Sequence, residues 1–155
     1  MADPNKIIYM TCRESAGFTR ERAAELLNVG TRTLARWELG ESLPPDDIAY
    51  NMVMLYNSPY LAVQHLRLSS RVVDFILPAI DDCSLQTAAI RLINRVLLFA
   101  DSHRDRQLLK IVEDGQITED ERPVLSDILI DLQEIVKTCT EVRLAAEKED
   151  SHEQI

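Results

Sequence analysis

The stretch Ala24-Glu25-Leu26-Leu27-Asn28-Val29-Gly30 limits the fold more than any other part of the chain. Two short helices that cross steeply need a small residue where their backbones touch and a permissive residue in the turn between them. Ala24 supplies the first. Asn28, one of the few residue types that tolerate positive φ, supplies the second. Beyond the turn, Val29 is placed to plug a core, and Leu34 to anchor the following helix by its inner face. The spacing predicts one helix from Thr19, whose hydroxyl can cap it, to Leu27, and another from Thr31 to Leu39, stopped by Gly40.

The rest of the chain continues in helices. Only four glycines and six prolines punctuate 155 residues, and apolar side chains recur at spacings of three and four instead of alternating. A first helix is expected over 5–16, with Ile8, Cys12 and Ala16 stacked and Gly17 ending it in the left-handed region. After Leu43-Pro44-Pro45, which cannot continue a helix, Asp46 is expected to cap a fourth helix burying Ile48, Met52 and Leu55 or Tyr56. Ser58 then caps and Pro59 opens a fifth, carrying Leu61, His65 or Leu66, and Leu68.

Residues 69–83, with the apolar run Val72 to Leu77, read as a connector, so 1–68 form one domain. A long helix from Ser84 is expected to bury Leu85, Ala89, Leu92, Val96 and Phe99, and Leu108, Ile111 and Val112 follow the polar patch 101–107. Whether that patch breaks the helix is open. Gly115 ends the segment, and Thr118-Glu119-Asp120-Glu121 has the form of a capping box, with Pro123 late in it. The last helix carries a heptad stripe of Leu125, Ile128, Leu132, Ile135, Cys139, Val142 and Ala146, flanked by Leu129 and Val136. Residues 84–147 thus form a helical hairpin or bundle, and 148–155 a solvated tail. The fold class is all-α.

The outward face of the helix at 31–39 carries Thr31, Arg32, Thr33, Ala35 and Arg36. Arginine offers a fork of donors that matches guanine O6 and N7, and threonine can bond a base or touch a thymine methyl. Phe18, Thr19, Ala23, Ala24, Leu27, Asn28, Val29, Leu34, Arg36, Trp37, Glu38 and Gly40 fulfil the pattern of the Cro and lambdoid-repressor type of helix-turn-helix family, also called the xenobiotic-response-element family. The resemblance covers about residues 5–68 and implies a five-helix lambda-repressor-like domain. It implies that Thr31, Arg32 and Arg36 read bases and that Arg20 stands where relatives place a phosphate-contacting Gln. The sequence departs from the family in Asn28 for the usual turn glycine and in Gly30 for the usual Ser or Thr cap, which costs a few tenths of a kcal/mol. Glu41 stands where relatives often carry Lys or Arg. Residues 112–139, VEDGQITEDERPVLSDILIDLQEIVKTC, are similar to the helical tails of small regulators encoded by prophages and mobile elements of Gram-positive bacteria.

Charge argues in the opposite direction. The formal net charge is −9, whereas affinity for nucleic acid rests largely on Lys and Arg neutralising phosphates. The imbalance lies mostly outside the first 50 residues, which hold six basic side chains against eight acidic ones. Within residues 10–40 five Arg face four Glu.

No chemistry-bearing motif competes. Asp114-Gly115-Gln116-Ile117 with Glu121 imitates half of an EF-hand loop, but Lys110 and Val112 would stand at its first ligand positions. His65, His103 and His152 lack zinc-site spacing, and neither a P-loop, a dinucleotide fingerprint nor a GxSxG occurs. No metal, cofactor or enzymatic activity is expected, and no small-molecule pocket is legible. Three scattered cysteines and a polar start predict a reducing, cytoplasmic compartment. The longest apolar run, Val96 to Ala100, is about a quarter of the roughly 20 residues a membrane helix needs.

The expected function is therefore a transcriptional regulator, repressor-like, that binds double-stranded DNA through Arg20, Thr31, Arg32, Thr33 and Arg36. Half-sites one helical turn apart require two copies, so a homodimer is expected, held by Leu125, Ile128, Leu132, Ile135 and Val142. The acidic C-terminal half supports a competing expectation: a protein-interaction module, such as an antirepressor or antitoxin-like partner, that keeps the helix-turn-helix as scaffold.

Overall fold

The computed structural model describes residues 8–150. Among them are eight α-helices and no strand: α1 (Ile8–Ser15), α2 (Arg20–Leu26), α3 (Thr31–Glu38), α4 (Asp46–Tyr56), α5 (Pro59–Ser69), α6 (Leu85–Asp101), α7 (Arg104–Val112) and α8 (Glu121–Asp150). A short 3-10 stretch, Arg71–Phe75, falls between α5 and α6. The start of the first expected helix, including Lys6, lies outside the described residues. The chain divides into two compact units, residues 1–74 with 147–155, and residues 75–146.

The first unit is built around Tyr9 and Cys12 of α1, Ala23 and Ala24 of α2, Leu34 and Trp37 of α3, Met52 and Tyr56 of α4, and Leu61 of α5. Burying such side chains supplies roughly 1.5–3 kcal/mol each, which offsets the entropy of ordering five short helices that would not persist alone. Local chemistry sets their ends. Thr19 Oγ1 accepts the Arg22 amide at 3.2 Å, Gly17 and Gly40 take the left-handed conformation, and Pro59 opens α5. Two caps differ from expectation. Asp46 is the first residue of α4, with Pro45 at the cap, and its carboxylate lies 2.9 Å from His65 Nε2. Since a carboxylate only accepts, Nε2 carries the proton and Nδ1 accepts the Tyr9 hydroxyl at 2.7 Å. Ser58 makes no side-chain cap bond; its hydroxyl meets Cys12 Sγ at 3.3 Å. His65 is buried and Leu66 exposed, which settles the alternative at α5.

In the second unit α6 runs antiparallel to α8, tied by Arg91 to Glu141, Arg95 to Glu134 and, from the start of α7, Arg104 to Asp131. The helix does break in the polar patch. Ser102 closes α6, and His103 takes positive φ and turns the chain into α7. The apolar stripe of α6 is not the expected one: Ala88 is its buried residue, Leu85, Ala89, Leu92 and Phe99 are half-buried, and Val96 is exposed. A thin layer of helices cannot cover a wide face. The capping box forms, with the Thr118 amide and hydroxyl both donating to Glu121 Oε2 at 2.9 and 2.7 Å, so Glu121 and not Thr118 supplies the side-chain acceptor. This holds the Glu121 carboxyl below its ordinary pKa, the backbone N–H contributing most.

Along α8, Ile128 is buried and Leu125, Leu132, Ile135, Val142 and Ala146 are half-buried, but Cys139 is exposed. Toward the C-terminal end the inner face is carried by Thr138, Glu141, Leu144 and Ala145. The helix continues through Asp150, so residues 148–150 are helical and not part of a tail.

Candidate nucleic-acid interface

The turn between α2 and α3 forms as its residues require. Asn28 has φ 53°, the Val29 amide reaches back to Ala24 O at 2.9 Å, and Ala23 and Ala24 are buried where the two helices pack. Val29 packs on the core from the turn. Gly30 caps α3 through its backbone alone, its carbonyl accepting the Thr33 and Leu34 amides at 2.9 and 3.0 Å. A Cβ at Gly30 would meet Thr33 Oγ1 at 3.6 Å, ordinary contact, so glycine is not required there for space.

The two faces of α3 differ completely. Leu34, Trp37 and Glu38 are buried, and Thr31, Arg32, Thr33 and Arg36 are exposed with Ala35 between them. The four side chains expected to read bases thus share one solvent-facing surface, and Trp37 serves the core.

Glu38 carries the main departure from the sequence reading. Counted there as an acidic neighbour of the DNA face, it is 1% exposed and points inward. Arg13 Nε donates to its Oε1 at 2.5 Å, Arg13 Nη2 to Oε2 at 3.3 Å, and Arg20 Nε to Oε2 at 2.8 Å. Arg13 Nη1 also donates to Phe18 O at 2.7 Å. The hydrogen bonds to Glu38 raise the Arg13 pKa against the opposing effect of burial. One carboxylate therefore joins α1, α2 and α3 and fixes the end of α3. The signal was present in the spacing: Glu38 lies four residues from Leu34, on the same inner face.

Arg20, expected at a phosphate, is engaged through Nε but remains partly exposed, with the other guanidinium nitrogens left for a phosphate oxygen. Glu41 lies 3.4 Å from Arg36 Nε, both side chains more than half exposed. The acidic residue most opposed to DNA binding thus neutralises one base-reading arginine in the free protein.

With this geometry in place, the comparison is direct: the helix-turn-helix family model matches residues 10–61. That segment is a helix-turn-helix domain. The match runs from α1 into α5 and supports the resemblance to Cro and lambdoid repressors. No curated protein and no solved structure matches the chain. Domains of this type bind DNA with the second helix of the motif in the major groove, which here is α3. Among the described residues no helix is long and apolar enough to cross a membrane.

Proposed function

We propose that the chain is a sequence-specific, repressor-like transcriptional regulator that binds operator DNA as a dimer, of the kind that prophages and mobile elements of Gram-positive bacteria encode. The observation that carries this reading is the exposure of Thr31, Arg32, Thr33 and Arg36 on one face of α3, whose opposite face is locked by Leu34, Trp37 and the buried Glu38. A rigid helix presenting two arginine forks and two hydroxyls has the donors that the major groove asks for. Arg20 and Arg22, on the neighbouring helix, would meet phosphates and set register, and occupation of the operator would block or recruit transcription without chemistry.

A dimer is supported by what the second unit leaves uncovered. Ile90, Ile93 and Leu97, at helical spacing on α6, are each more than half exposed, and Leu129 and Val136 of α8 are nearly as open. Of the residues expected to hold two copies together, Ile128 is buried within the chain itself, and Leu125, Leu132, Ile135 and Val142 are half-buried. The α6 face is therefore the better candidate for the contact.

Selection from a pool of random duplexes at low salt tests the function. The expected result is an enriched, two-fold symmetric sequence with half-sites about 34 Å apart. Failure to retain any duplex at low salt would overturn the proposal.

A further inference from the structure

The second unit contains a cavity of about 360 Å³ between α6 and α8. Asp81, Arg91, Arg95, Glu134, Lys137 and Glu141 supply its charged wall. Three cations face three anions, and most are already matched: Asp81 takes Arg91 at 3.3 Å and Lys137 at 3.1 Å, and Glu134 takes Arg95 at 3.0 Å.

Glu141 is the exception. Its side chain is wholly buried, and Oε1 accepts the Asp81 amide at 3.0 Å. Oε2 lies 3.5 Å from Arg91 Nη1, yet among the described residues it receives no hydrogen bond. A buried carboxylate oxygen without a donor forfeits a charge-assisted bond, which native proteins seldom leave unmade. A donor supplied from the cavity would complete it.

We propose that this cavity binds a small zwitterion, a free amino acid or a dipeptide, whose ammonium donates to Glu141 Oε2 and whose carboxylate lies against the Arg95 and Arg91 guanidiniums. The charge balance of the wall selects for a ligand that is itself neutral overall. A simple anion would be repelled by Glu141, and a simple cation would leave the arginines without gain. No aromatic ring lines the cavity, so a nucleobase or a sugar ring would find no stacking surface, and Leu98 is its apolar contribution. The volume stands at the small end of ligand sites. The inference concerns residues 75–146 alone and does not depend on DNA binding.

The test is titration of the full chain with the standard L-amino acids and glycylglycine, followed by ligand-observed NMR and calorimetry. At least one probe is expected to bind once per chain. Acetylating the amine of that probe, or introducing Glu141→Gln, should each weaken binding about tenfold or more, the loss of a charge-assisted bond to a buried group. Arg95→Gln, a change at a half-exposed side chain that the fold tolerates, should weaken the free acid and leave its carboxamide unaffected. It keeps the proposal falsifiable if Glu141→Gln fails to fold. Absence of binding by every probe, or binding that both variants and the acetylated probe leave unchanged, would overturn the inference.

Discussion

Replacing Arg13 by alanine tests the internal logic of the DNA-reading domain. Glu38 is fully buried and receives two of its three hydrogen bonds from Arg13, which also satisfies the Phe18 carbonyl. Removing one partner of a buried ion pair leaves an uncompensated charge and costs about 3–5 kcal/mol. Against a domain stability of roughly 5–15 kcal/mol, that is a large fraction. Arg20→Ala leaves the Arg13 pair intact and removes a single bond from a side chain about one-third exposed, so its cost should be about 1 kcal/mol. The double variant Arg13→Met with Glu38→Leu replaces the pair by apolar groups of similar volume and should recover most of the loss. Urea unfolding followed by Trp37 fluorescence suits the question, since Trp37 is the chain's one tryptophan and is buried beside Glu38. If Arg13→Ala costs no more than Arg20→Ala, or if the double variant is as unstable as the single ones, the buried network does not hold α3 as described.

Three further outcomes are expected. Glu41→Gln frees Arg36 and removes a negative charge beside the DNA face, so affinity for the selected duplex should rise about two- to fivefold, the scale of an exposed ion pair; an unchanged or lower affinity in a filter or fluorescence assay counts against the placement of α3. The Glu121 carboxyl is held below its ordinary value of 4.5, so its contribution to the α8 start is present above that pH and disappears as pH falls through the lowered folded-state value. NMR titration of the Thr118 amide should show a midpoint below 4.5, and a midpoint at or above it would contradict the capping bond. Ile93→Glu, on the open α6 face, should convert dimer to monomer in sedimentation and weaken operator binding; a dimer that persists would place the contact elsewhere.

What the sequence made legible is what adjacent residues encode. The Asn28 turn, the Thr19 cap, Gly17, Gly40, Pro59 and the outward set Thr31, Arg32, Thr33 and Arg36 each depend on a few neighbouring side chains, and each stands where expected. Features that depend on distant partners were not readable. Glu38 looked like a surface acid because Arg13, twenty-five residues away, is what lets it be buried. Asp46 looked like a helix cap, but His65 engages its carboxylate. The stripe of α8 read as one face along its length. Near its end the helix faces the Ile80 and Asp81 stretch instead, so Glu141 is inside and Cys139 outside. The apolar period fixes that a helix is amphipathic but not which neighbour covers it.

The central claim is that the exposed face of α3 binds DNA, and salt dependence tests it most directly. Affinity for the selected duplex should fall linearly on a log–log plot against salt, with a slope near −0.9 for each phosphate neutralised. Arg32→Ala with Arg36→Ala should erase the preference for the selected sequence over a scrambled one while leaving the fold intact. A salt-independent affinity, or a sequence preference that survives the loss of both arginines, would contradict the account.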